Sequence, residues 1–283
     1  MKKHQPTYSA ISLCKVMNVS RSAYYSWLKR PAKIITEQEL MLYRRCKSLF
    51  NASRQSAGAR TLVKLLRKEG FSVGIYRVRR LMMKLSLVVK QRRAYKVTTL
   101  RKHSHLVTDN LLDRQFNPGK ANQVWAGDIT YLRTHQGWMY LAIVMDLHSR
   151  RIVGWAMSKS MTVDLTVRAF QMAVNLRQPA EGLLFHSDRG SQYTSKRYQS
   201  LLKRNKVIAS MSGRGACLDN AVVERFFGSL KNEWLLHVSH QSRNSMQVDV
   251  EKYIKYYNYE RLHTTLNDMS PIEFESVKEM CAA

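Results

Sequence analysis

Three acidic residues stand in stretches of the 283-residue chain whose composition points to chemistry. Asp128 lies in Trp125-Ala-Gly-Asp-Ile-Thr-Tyr-Leu132, and Asp188 in Phe185-His-Ser-Asp-Arg-Gly-Ser-Gln-Tyr193. Glu224 lies in Asp219-Asn-Ala-Val-Val-Glu-Arg-Phe-Phe-Gly-Ser-Leu-Lys-Asn-Glu233, with 35 residues separating it from Asp188. Any one of these acids alone reads more simply as a helix cap or a solvated charge. Brought together, three carboxylates repel one another and need a counter-charge, which hard divalent cations supply through oxygen ligands. Two Mg²⁺ ions about 3.5–4 Å apart can activate an attacking oxygen and stabilise a leaving one in phosphodiester displacement, and the carboxylates then need not be general bases. Glu224 and Lys231 are seven apart, so on a helix they share a face. Gly228 between them leaves that face open, and Phe227, Leu230 and Trp234 form an apolar stripe on the other side. A lysine two turns from a metal carboxylate is well placed to hold a phosphate.

The elements that must position these acids follow from periodicity. Val124–Arg133 alternates as a strand with Asp128 at its middle, and His135-Gln-Gly137 reads as a turn. Trp138–Asp146 is apolar almost throughout and so reads as an interior strand, followed by a third at Arg151–Met157. Thr162–Leu176 is a helix with Val163, Val167, Phe170 and Val174 at helical spacing. Gly182–His186 is a short buried strand that delivers Asp188 at its end. Ser195–Asn205 is a helix, Val207–Met211 a last strand and Ser212–Gly215 a loop. Asp219 reads as the cap of the helix bearing Glu224. Strands and helices in this order predict an α/β sheet with helices packed against it. A helical tail from about Gln247 to Leu262 runs into Arg261-Leu-His263.

The front of the chain is different. Net charge is +27, but residues 1–110 carry 25 lysines and arginines against 4 acids, leaving +6 for the remainder. Such a one-signed front implies a polyanion, nucleic acid first and an anionic membrane second. Ile11, Leu13, Cys14 and Met17 give a short helical face that Asn18 breaks. Ser20 then caps a helix carrying Tyr24, Trp27 and Leu28, with Arg21 and Ser22 at its start. Two short helices about a tight turn are what a helix-turn-helix needs, its second helix offering polar and basic groups to a groove. The bland alternative is an ordinary helical hairpin. Pro31 closes this unit. A helix follows from about Thr36 to Phe50, then one with Leu62, Leu65 and Leu66 ended by Gly70, then one at about Ile75–Leu85 bearing Arg77, Arg79 and Arg80. This second pair also resembles a helix-turn-helix. Lys90–Lys102, with Arg92 and Arg93, is a basic linker suited to a phosphate backbone. The expected domains are 1–34, 35–105 and 118–280. Four scattered cysteines with no Cys-x-x-Cys pair argue against a disulfide framework and a structural zinc site. No signal peptide and no apolar run near 18 residues is present, so a cytoplasmic protein on chromosomal DNA is expected.

The motifs around Asp128, Asp188 and Glu224, with Tyr257-Asn-Tyr-Glu-Arg-Leu-His263 and Ser270-Pro271, resemble the catalytic core of DDE transposases in the retroviral-integrase superfamily, most nearly the OrfB product of the insertion sequence 3 family. The resemblance covers about residues 55–275. It implies an RNase H-like mixed sheet flanked by helices, preceded by an all-α helix-turn-helix region. It also implies a triad of Asp128, Asp188 and Glu224 that binds two Mg²⁺ ions, with Mn²⁺ as substitute, and Lys231 as a DNA contact. Water would cut a phosphodiester at the element's end and free a 3′-hydroxyl, which would then attack another strand in line. The DNA partners would be the inverted-repeat ends and a target, held by a homo-oligomer. The chain has neither an integrase-type His/Cys zinc domain nor the leucine-zipper heptad usual on OrfA, so an OrfA partner or an OrfA–OrfB fusion is expected.

Other residues take plainer readings. Asp146 reads as structural, His186 as a hydrogen-bonding neighbour of the site, and Trp125 and Trp155 as core. Arg261 and His263 fit either a DNA contact or docking of the tail. Two rival functions are a non-catalytic repressor that binds DNA through the front helices, and an RNase H-like nuclease that hydrolyses without joining.

Overall fold

The structure, a computed structural model, describes residues 7–29, 35–90, 108–213, 217–236 and 238–282. Pro31, Arg92, Arg93, most of the basic linker and part of the loop before Asp219 lie outside these residues. By internal contacts the chain divides into residues 1–46 and 47–283.

In the first unit, α1 (Ala10–Val16) and α2 (Arg21–Lys29) form a hairpin. Ser9 caps α1 through the amide of Ser12, Asn18 takes the left-handed conformation (φ 51°) that turns the chain, and the Ser20 hydroxyl accepts from the amide of Ala23. Cys14 and Tyr24 are buried, but Ile11 and Met17 of the expected apolar face are each 59% exposed, and Trp27 and Leu28 are exposed as well. Two helices of this length have too little surface to enclose more. Helix α3 (Glu37–Ala52) begins in this unit, with the Thr36 hydroxyl accepting from the Glu39 amide and two acids in its first turn, where the helix dipole favours them.

The second unit opens with α4 (Ala59–Lys68) and α5 (Ile75–Lys84), which bury Leu62, Val63, Leu66, Val78 and Leu81. Gly70, at φ +86°, makes the turn between them that a side chain would strain. The sheet that follows has the order β3-β2-β1-β4-β5, from β1 (Val124–Thr134), β2 (Gly137–Asp146), β3 (Ile152–Ser158), β4 (Leu184–Ser187) and β5 (Ile208–Met211). The first three strands pair antiparallel, whereas β1-β4 and β4-β5 pair parallel. Period-two alternation sends Leu141, Ile143 and Met145 to one face and Ala142 and Val144 to the other, so β2 is buried on both. On the second face lie α6 (Val163–Arg177) and α8 (Lys196–Arg204), which contribute Phe170, Ala173, Tyr198 and Leu202. Gly154 lets α6 press against β3, since a Cβ there would stand 2.2 Å from the Ala169 carbonyl.

The first face is covered by α9 (Ala221–Ser229), a π-helical turn at Leu230–Leu235, and α10 (Arg243–Tyr259). Phe227, Leu230 and Trp234 are buried there, as the stripe required. The helix bearing Glu224 is therefore not one continuous α-helix. It widens at Leu230, one residue before Lys231. Two further elements had no sequence expectation, the short α7 (Ser191–Thr194) and the terminal α11 (Pro271–Ala282). Among the described residues no helix is long and apolar enough to cross a membrane.

Candidate active site

The sheet register brings the two aspartates together. Strand β4 pairs with β1 only through Val124–Gly127, and the last pair is Gly127 with Ser187. Asp128 and Asp188 are the next residues on two adjacent parallel strands, whose spacing is about 4.8 Å. Asp128 continues in the ladder with β2, opposite Ile143, while Asp188 leaves the sheet into a turn. The Asp188 carboxylate accepts from the Gly190 amide at 2.9 Å. A Cβ on Gly190 would meet that same oxygen at 2.9 Å, so the turn closes around Asp188 only because position 190 is bare. Gly127 is needed in a similar way, because a Cβ there would stand 2.6 Å from the Phe185 ring.

Glu224 arrives in the first turn of α9 and completes the set. Asp128 is held well above the ordinary carboxylate range, first by burial, then by the charges of Asp188 and Glu224, against the Ile129 amide and the Lys231 ammonium, which pull it down. The Ile129 amide donates to Asp128 at 2.7 Å. Glu224 is raised by burial and by Asp188. The three acids thus share one electrostatic neighbourhood and repel within it. Lys231 sits in it too, its ammonium 4.8 Å from the centroid of the Tyr131 ring and its pKa lowered by loss of water. Gly228 has open space where a side chain would be.

Oxygen-only donors with unbalanced negative charge are what a hard divalent cation binds. Among the described residues, however, no three His, Cys, Asp or Glu side chains stand close enough together to hold a metal ion unaided. An open set of carboxylates suits Mg²⁺, which keeps waters and substrate phosphate in its shell rather than an all-protein cage. The residues fit the ion in chemistry and leave the remaining positions to other oxygens.

Behind the acids stand residues that fix them. His186, fully buried on β4, bonds Ser210 through Nδ1 at 2.9 Å and Ser212 through Nε2 at 3.2 Å. Burial lowers its pKa to about 4, so it is neutral and ties β4 to β5 without carrying a charge. Asp219 does not cap α9, as the sequence had suggested. It lies in a 3₁₀ turn at Cys217–Asn220, and the N-cap position of α9 is taken by Asn220, which makes no side-chain cap. Its carboxylate instead accepts from Asn110 (2.9 Å), Arg114 (2.9 Å) and the Gly213 amide (3.0 Å), and the Arg114 hydrogen bond holds its pKa low. These partners lie up to 109 residues away in sequence, so no local pattern could have named them.

The remaining expected residues separate by environment. Asp146 is wholly buried, accepts from the Asn122 and His148 amides and pairs with Arg177, which is a structural role. Arg261 forks onto Glu233 at 2.7–2.8 Å, which docks the tail onto the core, and His263 packs on the Tyr257 ring of the tail's own helix. Trp125 is core and Trp155 partly buried. Arg21 and Ser22 are exposed on α2 of the first unit, and Arg77, Arg79 and Arg80 on α5 of the second. A void of about 110 Å³ lined by Leu49, Ser53, Glu233, Tyr256 and Arg261 includes none of the three acids.

The chain is similar to known proteins. Residues 118–217 and 205–271 each match a family described as an integrase core domain, and residues 37–95 match an HTH-like domain. Transposase InsF for insertion sequence IS3A of Escherichia coli (strain K12) is 40% identical over 281 residues, covering 98% of this chain and 97% of that protein. The insertion element IS600 uncharacterized 31 kDa protein of Shigella sonnei is 38% identical over 272 residues, covering 96% and 100%. Among solved structures, the HTLV-2 integrase catalytic core domain in complex with magnesium (dimeric form) is 20% identical with a TM-score of 0.44, covering 55% of this chain and 97% of that one. The simian T-cell lymphotropic virus intasome in complex with PP2A regulatory subunit B56 gamma is 14% identical with a TM-score of 0.47, covering 81% and 74%. The five-stranded mixed sheet with its flanking helices is the integrase core, and the helices before it within residues 37–95 are HTH-like.

Proposed function

The chain belongs to the insertion sequence 3 family of transposases, polynucleotidyl transferases built on an integrase core, and from that premise we propose that it cuts DNA at the ends of its element and joins them to a target by in-line transesterification. Asp128, Asp188 and Glu224 are the catalytic acids and would hold two Mg²⁺ ions, or Mn²⁺ in their place. Bound there, the ions neutralise the carboxylates and polarise the attacking and leaving oxygens. Asp128 and Asp188 are fixed by the sheet, and Glu224 closes the set from the helix. Lys231 holds a phosphate of the reacting strand. In the first step water forms a bond to phosphorus as the bond to the 3′-oxygen breaks, leaving a 3′-hydroxyl. In the second, that hydroxyl attacks a target phosphodiester and displaces its 3′-oxygen, with no covalent link to the protein.

The same reading extends to binding. Arg77, Arg79 and Arg80 on α5 contact phosphates, as do Arg92 and Arg93 in the linker, and Arg21 and Ser22 at the start of α2 meet a groove. Residues 1–34 and 35–105 form the DNA-binding segments and 118–280 the catalytic one. The protein acts as a homo-oligomer on chromosomal DNA, with the OrfA product as partner or fused to it.

What supports the reading most is placement: Asp128 and Asp188 follow the last paired residues of adjacent parallel strands, and the Asp128 carboxyl, raised first by burial, is raised further by the charges of Asp188 and of Glu224 at a helix start. The test is to incubate labelled element ends with Mg²⁺ or Mn²⁺. Metal-dependent nicking and joining are expected, and Asp128→Asn and Glu224→Gln abolish both while leaving DNA binding nearly intact. Binding with no nicking by the unaltered chain would indicate a repressor, and hydrolysis without joining a nuclease.

A further inference from the structure

We propose that Tyr131 and Trp138 form a platform on which an unpaired DNA base stacks beside the reacting phosphate. The proposal rests on the transposase reading of the carboxylates and extends it from where the strand is cut to how the strand is held. By register, Arg133 faces Trp138 and Tyr131 faces Tyr140, so Tyr131, Arg133 and Trp138 lie on one face of the β1–β2 hairpin. The two rings meet edge to face, with centroids 5.4 Å apart and planes at 87°. Tyr131 is 47% and Trp138 46% exposed. One exposed aromatic on a surface is ordinary, but two in contact on a single hairpin leave substantial apolar area in water.

Cations surround the pair. The Lys231 ammonium is 4.8 Å from the Tyr131 ring centroid, and the Arg133 guanidinium is 5.8 Å from that of Trp138. Arg243 reaches the Trp138 carbonyl at 3.5 Å. Alternation places Asp128 on the other face of β1 from Tyr131, and Lys231 links the two, its charge acting on the Asp128 carboxyl and its ammonium lying against the Tyr131 ring, which in turn meets Trp138. Aromatic faces set among cations are the combination that holds single-stranded nucleic acid, the rings taking bases and the cations the backbone. A protein partner would be expected to meet acids as well as apolar surface, whereas the charged groups named at this rim are all basic. Within a duplex the base faces are covered by their neighbours, so the platform serves a base freed where the strand opens for cutting, at the modest cost of unstacking.

The experiment uses the full chain without divalent metal, so that no cutting occurs, and a short oligothymidine carrying one 5-iododeoxyuridine. Irradiation followed by peptide mapping is expected to place the cross-link on Trp138 or Tyr131. Trp138→Ala should lose that cross-link and weaken oligothymidine binding on the order of 5- to 100-fold, while Trp138→Phe keeps most of both. Circular dichroism melts show whether Trp138→Ala remains folded, and the mapping on the unaltered chain stands on its own if it does not. Cross-links confined to other segments would overturn the platform. So would unchanged oligothymidine binding by folded Trp138→Ala, or a change in its oligomer mass without DNA, which would mark a protein interface. If the platform fails while the unaltered chain still nicks element ends with Mg²⁺, the carboxylate reading survives. A mapped cross-link in a chain that never nicks would mean the reverse.

Discussion

Gly190 shows how tightly one acid is held. Its φ of −61° suits any residue, so Gly190→Ala adds no backbone strain, but the new Cβ would crowd the Asp188 carboxylate. Nicking is expected to fall on the order of 100-fold with the melting temperature nearly unchanged, the effect of misplacing a reacting group by about 1 Å. Turnover beside a calorimetric melt checks this. His186 gives a pH dependence. Its pKa is about 4 in the fold against 6.5 normally, so between those values the unfolded chain binds a proton that the native state refuses. Stability is therefore full above about pH 6.5 and falls as pH drops toward 4, by on the order of 3 kcal/mol. His186→Gln should flatten part of that slope in melts across pH. The remainder is shared with His263, which burial and Arg261 also depress. At this scale the three acids could be singled out because each stands within a long motif. The need for a bare position 190 was present in Asp-Arg-Gly but became meaningful only once the turn was seen to close on Asp188. The choice between DNA and docking for Arg261 was settled by Glu233, a partner that sequence spacing does not reveal.

Asp219 acts between elements. It gathers the segment at Asn110–Arg114, the loop at Gly213 and the turn that launches α9, so the position of Glu224 depends on it. Asp219→Ala is expected to cost about 2 kcal/mol, typical of losing hydrogen bonds to a charged group, and to slow cutting 10- to 100-fold. Denaturant melts and nicking rates measure the two effects separately, and restoration by Glu at this position is not expected because the cage is sized to the shorter acid. The strands and most of the longer helices were readable from alternation and 3.6-residue spacing, with boundaries displaced by a residue or two, whereas α10 begins four residues earlier and ends three earlier than expected. The π-turn at Leu230 was not, because it is set by how Leu230 and Trp234 seat against the core rather than by local composition. The cap assigned to Asp219 failed for a related reason. An acid before a helix has the same sequence signature whether it serves that helix or two distant segments.

Over the whole molecule the charge is divided. The front third carries most of the +27, and α5 exposes Arg77, Arg79 and Arg80 together. Replacing all three with alanine should weaken binding uniformly across DNA sequences and reduce the slope of log K against log salt by up to about 3, one contact contributing about 0.9. Binding titrations at several salt concentrations test it, and an unchanged slope would remove these residues from the interface. The basic front and the α/β class of the remainder followed from composition and periodicity. The mixed strand order did not, since which strands neighbour β1 depends on contacts between segments some 60 residues apart. That order matters because it sets Asp128 beside Asp188 and leaves Glu224 to approach from the covering helix. The most direct test is to count Mn²⁺ taken up by the DNA-bound chain, by the loss of the free-ion paramagnetic resonance signal. Uptake at one shared site, weakened by each of Asp128→Asn, Asp188→Asn and Glu224→Gln, is expected. Wild-type uptake in any one of the three variants would contradict the joint site.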